Sequence, residues 1–305
     1  MNLPKQVRIC EVGLRDGLQN ESVILTVEQK LELIEQLINA GVVCIEVGSF
    51  MNPQKVPQMA GTDEVFYRLK QQQSIEYRGM VPNMRGMSRA IECGCKKVRI
   101  TVSASRAHNL ANFNCTPEQT VSGFSDMVGI ASDAGLSLAG GIMMAFGSCW
   151  ESAIPLDDIR QLVETYISLG IFEITLSDSA GLAAPDVIYD TCNRLKASYP
   201  EVKDWIVHLH NTRGMGMSNL LAGMLAGITS FDTSFAGLGG CPFIPGATGN
   251  ISTEDVVHML SLMGIETGID LDAILSIGRH VAELAGHPSE SYVLRAGKSS
   301  DLLQV

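Results

Sequence analysis

Two histidines separated by one residue, His208 and His210, close the apolar run WIVHLH (205–210). Strand side chains alternate between the two faces, so these two imidazoles point the same way and form half of a metal site. Asp16, in the segment EVGLRDGLQNE (11–21), can add a carboxylate oxygen if both segments end at the same edge. A mixed nitrogen and oxygen site with few protein ligands suits Mg²⁺ or Mn²⁺, and the ligand types alone leave Zn²⁺ open.

Three more charged residues stand at or near the ends of apolar runs. Arg15 precedes Asp16, and a cation beside a carboxylate can hold an anionic substrate while the carboxylate binds metal or takes a proton. Glu46 lies within VVCIEV (42–47) and is either a partner of Arg15 or a direct site residue, since burying a lone carboxylate is costly. Asp178 ends FEITLSD (172–178), and supporting, catalytic and helix-capping roles are all open to it.

A glycine-rich segment, AGLGGCPFIPGATGN (236–250), supplies two further candidates. Such a loop can bend sharply and bring backbone against a ligand. Cys241 carries a thiol that can give or take a proton near a reactive carbon, and Asn250 offers an amide oxygen to a metal or caps the next helix. No lysine ends a predicted strand, which disfavours covalent imine chemistry and favours a metal.

Parallel strands that alternate with helices would bring these residues together. Strand-like runs recur about every 30 residues, and each is followed by a helix-like stretch such as 26–41 or 116–135. The predicted strands are 7–12, 42–47, 76–81, 97–103, 137–145, 172–178, 205–210 and 228–234. Eight βα units predict an α/β fold, a (β/α)8 TIM barrel whose active site lies at the carboxyl ends of the strands. We expect residues 1–305 to form one domain, with additional C-terminal helices within 251–290 packed on the barrel.

The bulk composition excludes several classes of function. A net charge of −11 and a pI of about 5.0 argue against general nucleic-acid binding, which needs a basic face. No apolar run reaches the roughly 18 residues that a membrane span needs, and the N-terminal residues contain no signal-peptide core. The eight cysteines include no C-x-x-C pair, so reduced thiols and a cytoplasmic location are expected.

The motifs together resemble the 3-hydroxy-3-methylglutaryl-CoA lyase family of metal-dependent barrel enzymes. The resemblance rests on EVGLRDGLQNE, SFMNPQKVPQMA (49–60), the H-x-H strand, and AGLGGCPFIPGATGN with the following TED, and it covers about residues 3 to 290. It implies that the metal ligands are Asp16, His208, His210 and Asn250. It also implies catalytic roles for Arg15 at the thioester enolate, for the thiol of Cys241, and for Asp16 and His208. Glu46 and Asp178 match carboxylates that aid catalysis or hold the metal ligands in place.

The resemblance implies a retro-Claisen reaction. A 3-hydroxyacyl-CoA would lose its hydroxyl proton and break a carbon–carbon bond, giving acetyl-CoA and a keto acid, which is acetoacetate if the substrate is hydroxymethylglutaryl-CoA. The expected partners are therefore an acyl-CoA thioester and a second copy of the chain, since the family tends to form homodimers.

Several positions depart from the family pattern at the expected substrate end. Met143 and Met144 replace polar residues of the family pattern, and Arg106 replaces an acidic one. The segment HLHNTRG contains an additional cation, Arg213. The predicted substrate-binding residues are Gln19, Ser49, Met143, Met144, Arg106 and Arg213.

These departures leave open a paralogue that cleaves a citramalyl- or methylmalyl-type CoA. A Claisen-condensing synthase is the second alternative, although such enzymes generally carry a C-terminal regulatory region that is absent here. A catalytically silent binding barrel is disfavoured by the intact set of site residues.

Overall fold

Eight parallel strands close into a barrel in which each strand pairs with the next along the chain and β8 pairs with β1. The computed structural model describes residues 3–151, 153–240 and 248–301. The strands are β1 (Arg8–Glu11), β2 (Cys44–Ser49), β3 (Glu76–Val81), β4 (Lys97–Ser103), β5 (Ser137–Met143), β6 (Glu173–Asp178), β7 (Asp204–Leu209) and β8 (Ser230–Thr233). All eight predicted strands are present, and those at 76–81 and 97–103 have the predicted bounds. The predicted (β/α)8 TIM barrel is confirmed.

Helices surround the barrel and follow the strands. They are α1 (Val27–Asn39), α2 (Thr62–Arg68), α3 (Met84–Glu92), α4 (Arg106–Phe113), α5 (Pro117–Ser122), α6 (Phe124–Asp133), α7 (Leu156–Ser168), α8 (Pro185–Ser198), α9 (Gly216–Leu225), α10 (Thr253–Leu262), α11 (Leu271–Ala285) and α12 (Tyr292–Ala296). The first begins at Thr26, whose side chain forms a reciprocal capping box with Gln29. Its buried face presents Leu33, Ile34 and Leu37 to the main hydrophobic core between strands and helices.

The predicted helix over 116–135 is wrong as a single element, because the chain forms α5 and α6 there. The amide of Gly123 donates to Thr120 O at 3.3 Å, so the last turn of α5 tightens at this glycine. Beyond it, α6 buries Phe124, Met127 and Ala131 against the core. A short helix without buried residues is thus followed by one with a buried face.

The amino ends of the strands are closed by a network of one buried and three half-buried charged residues. Arg78 is fully buried, and its Nη2 lies 2.7 Å from Glu173 Oε1. Lys97 Nζ lies 3.0 Å from Glu76 Oε2 and also contacts Glu173. This network fills the end of the barrel that lies opposite the predicted site.

The chain after β8 lies against the outside of the barrel. The amide of Val7 donates to Glu266 O at 2.9 Å, and the amide of Asp270, at the start of α11, donates to Ala40 O at 2.8 Å. These contacts attach the C-terminal region to the N-terminal residues and to the end of α1, and the single domain stays a prediction. No helix of the described residues is long and apolar enough to cross a bilayer.

Candidate active site

Arg15 and Asp16 lie in a short π-helical turn, Gly13–Gly17, which follows β1 at the barrel mouth. The amide of Asp16 donates to Val12 O at 2.7 Å and holds the turn closed. A Cβ on the first residue of this turn would lie 2.6 Å from a ring carbon of Phe235. The turn can therefore pack directly against the end of β8 only because glycine stands there.

Asp16 meets both histidines of β7. Its Oδ2 lies 3.7 Å from His208 Nε2 and 3.6 Å from His210 Nε2, and the two Nε2 atoms are 3.1 Å apart. One ligand atom from each of the three residues lies within 4.8 Å of the others, as in a metal site. The structure thus brings together the predicted Asp16, His208 and His210 from opposite parts of the chain.

Asn250 adjoins this cluster through an antiparallel bridge with His210. Its Nδ2 donates to Asp16 Oδ2 at 2.8 Å, while its buried Oδ1 finds no hydrogen-bond partner among the described residues. Rotating the Asn250 amide group by half a turn exchanges Nδ2 and Oδ1, so that the oxygen faces Asp16 and the two histidines. Two nitrogens, a carboxylate and an amide oxygen with no other partner fit a divalent cation such as Mg²⁺ or Mn²⁺.

Asp232 on β8 orients His208 from behind. Its Oδ2 lies 3.2 Å from His208 Nδ1, which leaves Nε2 directed at Asp16. Burial alone would raise the pKa of Asp232, but Arg99 and the hydrogen bond to His208 hold it below its usual range. A carboxylate behind a ligating imidazole fixes its tautomer and makes the other nitrogen a better ligand.

Arg15 is held between two carboxylates. Its Nε donates to Glu46 and its Nη1 to Asp16, and the side chain is only 10% exposed. Burial alone would lower the pKa of Arg15, but Asp16 and Glu46 raise it above its ordinary value. The pKa of Asp16 lies well below its usual range, since Arg15, His210 and His208 outweigh the effect of burial. Glu46 is therefore the partner of Arg15, one of the two roles that the sequence left open.

Asp178 supports the loop after β6. It is buried, and its two oxygens accept the amides of Leu182 at 3.0 Å and Ala183 at 3.1 Å. Burial raises its pKa, and the two amides oppose that rise. Of the supporting, catalytic and helix-capping roles that the sequence left open for Asp178, these contacts agree with the supporting one.

A cavity of about 110 Å³ opens beside the cluster at the barrel mouth. Its residues come from the segment after β1, from strands β3 to β7, from α4 and from the loops after β2, β6, β7 and β8. They are Arg15, Asp16, Gln19, Asn20, Met51, Met80, Arg99, Thr101, His108, Asn112, Phe113, Gly141, Met143, Thr175, Ser177, Ser179, His208, His210 and Gly240. The cavity thus combines the candidate metal ligands with an apolar wall of methionines and Phe113.

Of the predicted substrate-binding residues, the structure places Gln19 and Met143 in the lining of this cavity. The other four lie elsewhere, although their roles stay predictions. Ser49 is buried in β2, and Met144 is buried against Ala180. Arg106 is exposed and pairs with Glu118 at 3.1 Å, and Arg213 donates to the carbonyls of Ala180 and Gly181.

Cys241 lies outside the described residues, so its predicted role in proton transfer stays a prediction. The described residues on either side of it adjoin the site. Gly240 lines the cavity, and its carbonyl accepts from Asn20 Nδ2 at 2.5 Å. On the other side, Asn250 donates to Leu238 O at 3.1 Å.

Four inward-facing residues were not predicted from the sequence, namely Arg99, Thr101, Thr175 and Asp232. Each lies in a predicted strand, and Arg99 and Thr101 are two positions apart in KVRITVS (97–103). A polar residue at alternate positions of an apolar strand is the signal that could have found them, because such positions share a face. An arginine within a barrel strand also needs a buried partner, here Asp232 at 2.8 Å.

Comparison with known proteins identifies relatives of the whole chain. The HMGL-like family matches residues 6–281. A 3-hydroxy-3-isohexenylglutaryl-CoA/hydroxymethylglutaryl-CoA lyase of Pseudomonas aeruginosa is 35% identical over 296 residues, covering 97% of this chain and 98% of that protein. The human mitochondrial hydroxymethylglutaryl-CoA lyase is 36% identical over 294 residues, covering 96% of this chain and 90% of that protein.

Solved structures agree with these matches. An HMG-CoA lyase from Acinetobacter baumannii, in complex with coenzyme A and 3-methylmalate, superposes with a TM-score of 0.94 at 38% identity, covering 99% of this chain and 98% of that chain. The Bacillus subtilis HMG-CoA lyase superposes with a TM-score of 0.92 at 35% identity, covering 97% of this chain and 99% of that chain. Since a family match over most of the sequence and full-length relatives above 30% identity agree with the barrel and its site, the chain belongs to the HMGL-like family.

Proposed function

We propose that the protein is a divalent-metal-dependent carbon–carbon lyase that cleaves a 3-hydroxyacyl-CoA by a retro-Claisen reaction, with hydroxymethylglutaryl-CoA as the leading substrate. The observation that carries this proposal is the convergence of Asp16, His208 and His210 beside Arg15 at the mouth of a cavity. Several relatives at about 36% identity are hydroxymethylglutaryl-CoA lyases. The catalytic and ligand roles below are part of this proposal.

Asp16, His208, His210 and Asn250 would hold the metal, either Mg²⁺ or Mn²⁺. When bound, it supplies a positive charge that lowers the cost of negative oxygen on the substrate. Asp232 keeps His208 Nε2 directed at the site, and Arg15 keeps the pKa of Asp16 low, so that the carboxylate is ionised. The chain therefore presents an ionised Asp16 and an oriented His208 to the metal.

Arg15 would act on the thioester. A base takes the proton of the 3-hydroxyl group, the bond between C2 and C3 breaks, and its electron pair moves to the thioester oxygen as an enolate. Glu46 fixes Arg15 Nε, so the rest of the guanidinium is positioned before that charge develops. Protonation at C2, with Cys241 as the proposed thiol in this transfer, then gives acetyl-CoA, while C3 becomes the ketone of the keto acid.

The lining of the cavity favours a second candidate substrate class. Met51, Met80, Met143 and Phe113 form an apolar wall, and Met143 stands where the family pattern has a polar residue. The A. baumannii relative was solved with coenzyme A and 3-methylmalate, a hydroxy-dicarboxylate. A paralogue that cleaves a citramalyl- or methylmalyl-type CoA is therefore the alternative, and a Claisen-condensing synthase of the same superfamily remains a weaker one.

Turnover on a panel of thioesters distinguishes these candidates. Acetyl-CoA release from hydroxymethylglutaryl-CoA is measured with Mg²⁺ or Mn²⁺, and any cleavage of citramalyl-CoA and methylmalyl-CoA is measured alongside. The proposal predicts the highest kcat/KM for hydroxymethylglutaryl-CoA. A higher value for another panel member would establish the paralogue, and no cleavage of any thioester would contradict the lyase assignment.

Two further properties belong to the same proposal. The protein is proposed to work as a homodimer, with α10 and α11 near the interface, and to act in the cytoplasm. Relatives come both from bacteria and, under a mitochondrial name, from mammals. Sedimentation of the purified protein tests the dimer directly.

A further inference from the structure

Six ionisable side chains form a closed chain of contacts at the barrel mouth. The turn after β1 contributes two of them, and β2, β4, β7 and β8 contribute one each. Each side chain contacts the next one, and the last contacts the first. We call this set the charge ring, and in the order of contact it consists of Arg15, Asp16, His208, Asp232, Arg99 and Glu46.

Arg99 is the member of the charge ring that crosses the barrel. It lies on β4, which pairs with β3 and β5, whereas its partners Glu46 and Asp232 lie on β2 and β8. A Cβ on Gly141 of β5 would lie 3.4 Å from Arg99 Cδ and 3.6 Å from Arg99 Cγ. The stem of Arg99 therefore lies beside this glycine, and the guanidinium extends past it toward two strands that do not adjoin β4.

The guanidinium of Arg99 contacts two carboxylates in different ways. Its Nη1 lies 2.8 Å from Asp232 Oδ2 and its Nη2 lies 3.2 Å from Asp232 Oδ1, which is a bidentate hydrogen bond. The same Nη1 lies 3.1 Å from Glu46 Oε2, which accepts no hydrogen bond among the described residues, so this contact is an ion pair. Both carboxylates are fully buried, and a buried carboxylate needs a compensating cation.

Each of these carboxylates is shared between Arg99 and one residue of the proposed site. Asp232 Oδ2 also lies 3.2 Å from His208 Nδ1, and the other oxygen of Glu46, Oε1, accepts from Arg15 Nε. The position of one guanidinium therefore determines where two carboxylates lie. Those carboxylates in turn orient the imidazole on the metal side and the guanidinium on the thioester side.

We propose that Arg99 is a positioning residue that holds Asp232 and Glu46 in place and thereby orients His208 for the metal and Arg15 for the thioester. The assignment rests on the proposed function, because the metal and the thioester are the ligands of that site. Without the guanidinium, two buried carboxylates that now contact the same nitrogen would repel each other and move apart. Arg99 acts through these two carboxylates and takes no part in bond cleavage.

Metal binding without substrate tests the contact through Asp232. Electron paramagnetic resonance of free Mn²⁺ gives the Kd of each variant for this ion. Arg99→Met removes the charge and keeps an unbranched side chain, and we expect it to raise the Kd by about tenfold or more, as for loss of a group that orients a metal ligand. Arg78→Met is the matched control, because Arg78 is also a fully buried arginine but pairs with Glu173 at the opposite end of the barrel. Its Kd should equal that of the wild type.

A double variant shows whether Arg99 acts through Asp232. Residues that act through one another have effects that do not add. Arg99→Met combined with Asp232→Asn should therefore bind Mn²⁺ about as tightly as Asp232→Asn alone. Losses that add in the double variant, or a wild-type Kd in Arg99→Met, would overturn the proposal.

Steady-state kinetics test the contact through Glu46. At saturating Mn²⁺, Arg99→Met and Glu46→Gln should each lower kcat for hydroxymethylglutaryl-CoA and change KM much less, because Arg15 acts on charge that develops in the transition state. The double variant should have the kcat of Glu46→Gln. A wild-type kcat in Arg99→Met would contradict this half of the proposal.

Melting temperatures identify any variant that fails to fold. If Arg99→Met does not fold, two other variants carry the comparison. Arg99→Lys keeps the charge but cannot reproduce the bidentate contact, and the double variant with Asp232→Asn lacks the uncompensated carboxylate.

The outcome is separable from that of the proposed function. If the wild type binds Mn²⁺ and cleaves hydroxymethylglutaryl-CoA and Arg99→Met does both equally well, the positioning role fails and the lyase assignment stands. If no thioester is cleaved but the Mn²⁺ affinities follow the prediction, the positioning of His208 stands and the lyase assignment fails. No binding of Mn²⁺ by the wild type would overturn both.

Discussion

Arg15 has two acidic partners, and its guanidinium contacts them with different nitrogens. Nε donates to Glu46 and Nη1 donates to Asp16, which fixes the plane of the group at the cavity. A lysine would keep the charge but present a single ammonium that cannot reproduce this fork. At the scale of single residues, the geometry of Arg15 therefore matters as much as its charge.

The Arg15→Lys variant measures this contribution. We expect kcat for the preferred thioester to fall about 100-fold, the scale for loss of one oriented donor at a developing oxyanion, with KM changed much less. Arg160→Lys is the matched control, since Arg160 lies in α7 and pairs with Asp157 at 2.9 Å. Steady-state kinetics would contradict the proposed role of Arg15 if both variants kept the wild-type kcat.

Single residues also mark the limit of what the sequence could predict. His208, His210 and Asp16 were predictable because their spacing and strand-end positions indicate a shared face. Arg99 and Thr175 lie inside strand runs that read as core, and their importance depends on what stands across the barrel. That relationship needs the register between strands, which no local pattern contains.

At the scale of elements, the π-helical turn after β1 places Arg15 and Asp16 at the barrel mouth. Periodicity predicted the strands well, because β-branched runs alternate with amphipathic segments about every 30 residues. The π-helical turn at Gly13–Gly17 was expected only as a loop, and the break at Gly123 was not expected. Both depend on a few backbone hydrogen bonds and on packing that short-range composition does not specify.

Replacing Gly13 tests the packing of that turn. Gly13→Ala would bring Cβ to 2.6 Å from both Glu11 Oε1 and Phe235 Cε2, so the turn must shift. We expect the free energy of unfolding to fall by about 2 kcal/mol, as for overpacked cores, and metal affinity to fall because Asp16 moves. Gly129→Ala is the control, because a Cβ there meets nothing within 4 Å. Equal denaturation midpoints for the two variants would show that the turn accommodates the methyl group.

At the scale of the whole molecule, two buried carboxyl groups attach α10 to the barrel, one to β1 and the other to the turn after β8. Glu11 Oε2 accepts from Thr253 Oγ1 at 2.5 Å, and Glu254 Oε1 accepts from the amide of Ala236 at 2.8 Å. Burial raises the pKa of Glu11 from 4.5 to about 7 and that of Glu254 from 4.5 to about 8. Both groups therefore favour their protonated forms in the folded protein and couple its stability to pH.

This coupling predicts that stability falls as pH rises. The stability from holding these protons is fully present below pH 4.5 and is lost as pH rises through about 8 for Glu254. Asp16 and Asp232 have lowered pKa values, so their contribution is lost only below their ordinary value of 3.8. Between about pH 5 and 8 the free energy of unfolding should therefore fall by several kcal/mol, with a contribution from each of the two carboxyl groups.

The Glu254→Gln variant should flatten this dependence, since glutamine keeps the shape and binds no proton. Glu64→Gln is the control, because Glu64 is exposed and pairs with Arg68 at 3.1 Å. Urea unfolding at several pH values gives the slopes. The same slope in Glu254→Gln and wild type would show that this carboxyl group titrates normally in the fold.

Asp16 is proposed to belong to a metal site where a CoA thioester is cleaved. Acetyl-CoA release from hydroxymethylglutaryl-CoA is measured for wild type, for Asp16→Asn and for Asp157→Asn, an exposed control, each with Mg²⁺ and with chelator. The account predicts release by the wild type and Asp157→Asn only when metal is present, with a loss of roughly 1,000-fold or more in Asp16→Asn. Equal release by Asp16→Asn and wild type, or release that persists without metal, would contradict it.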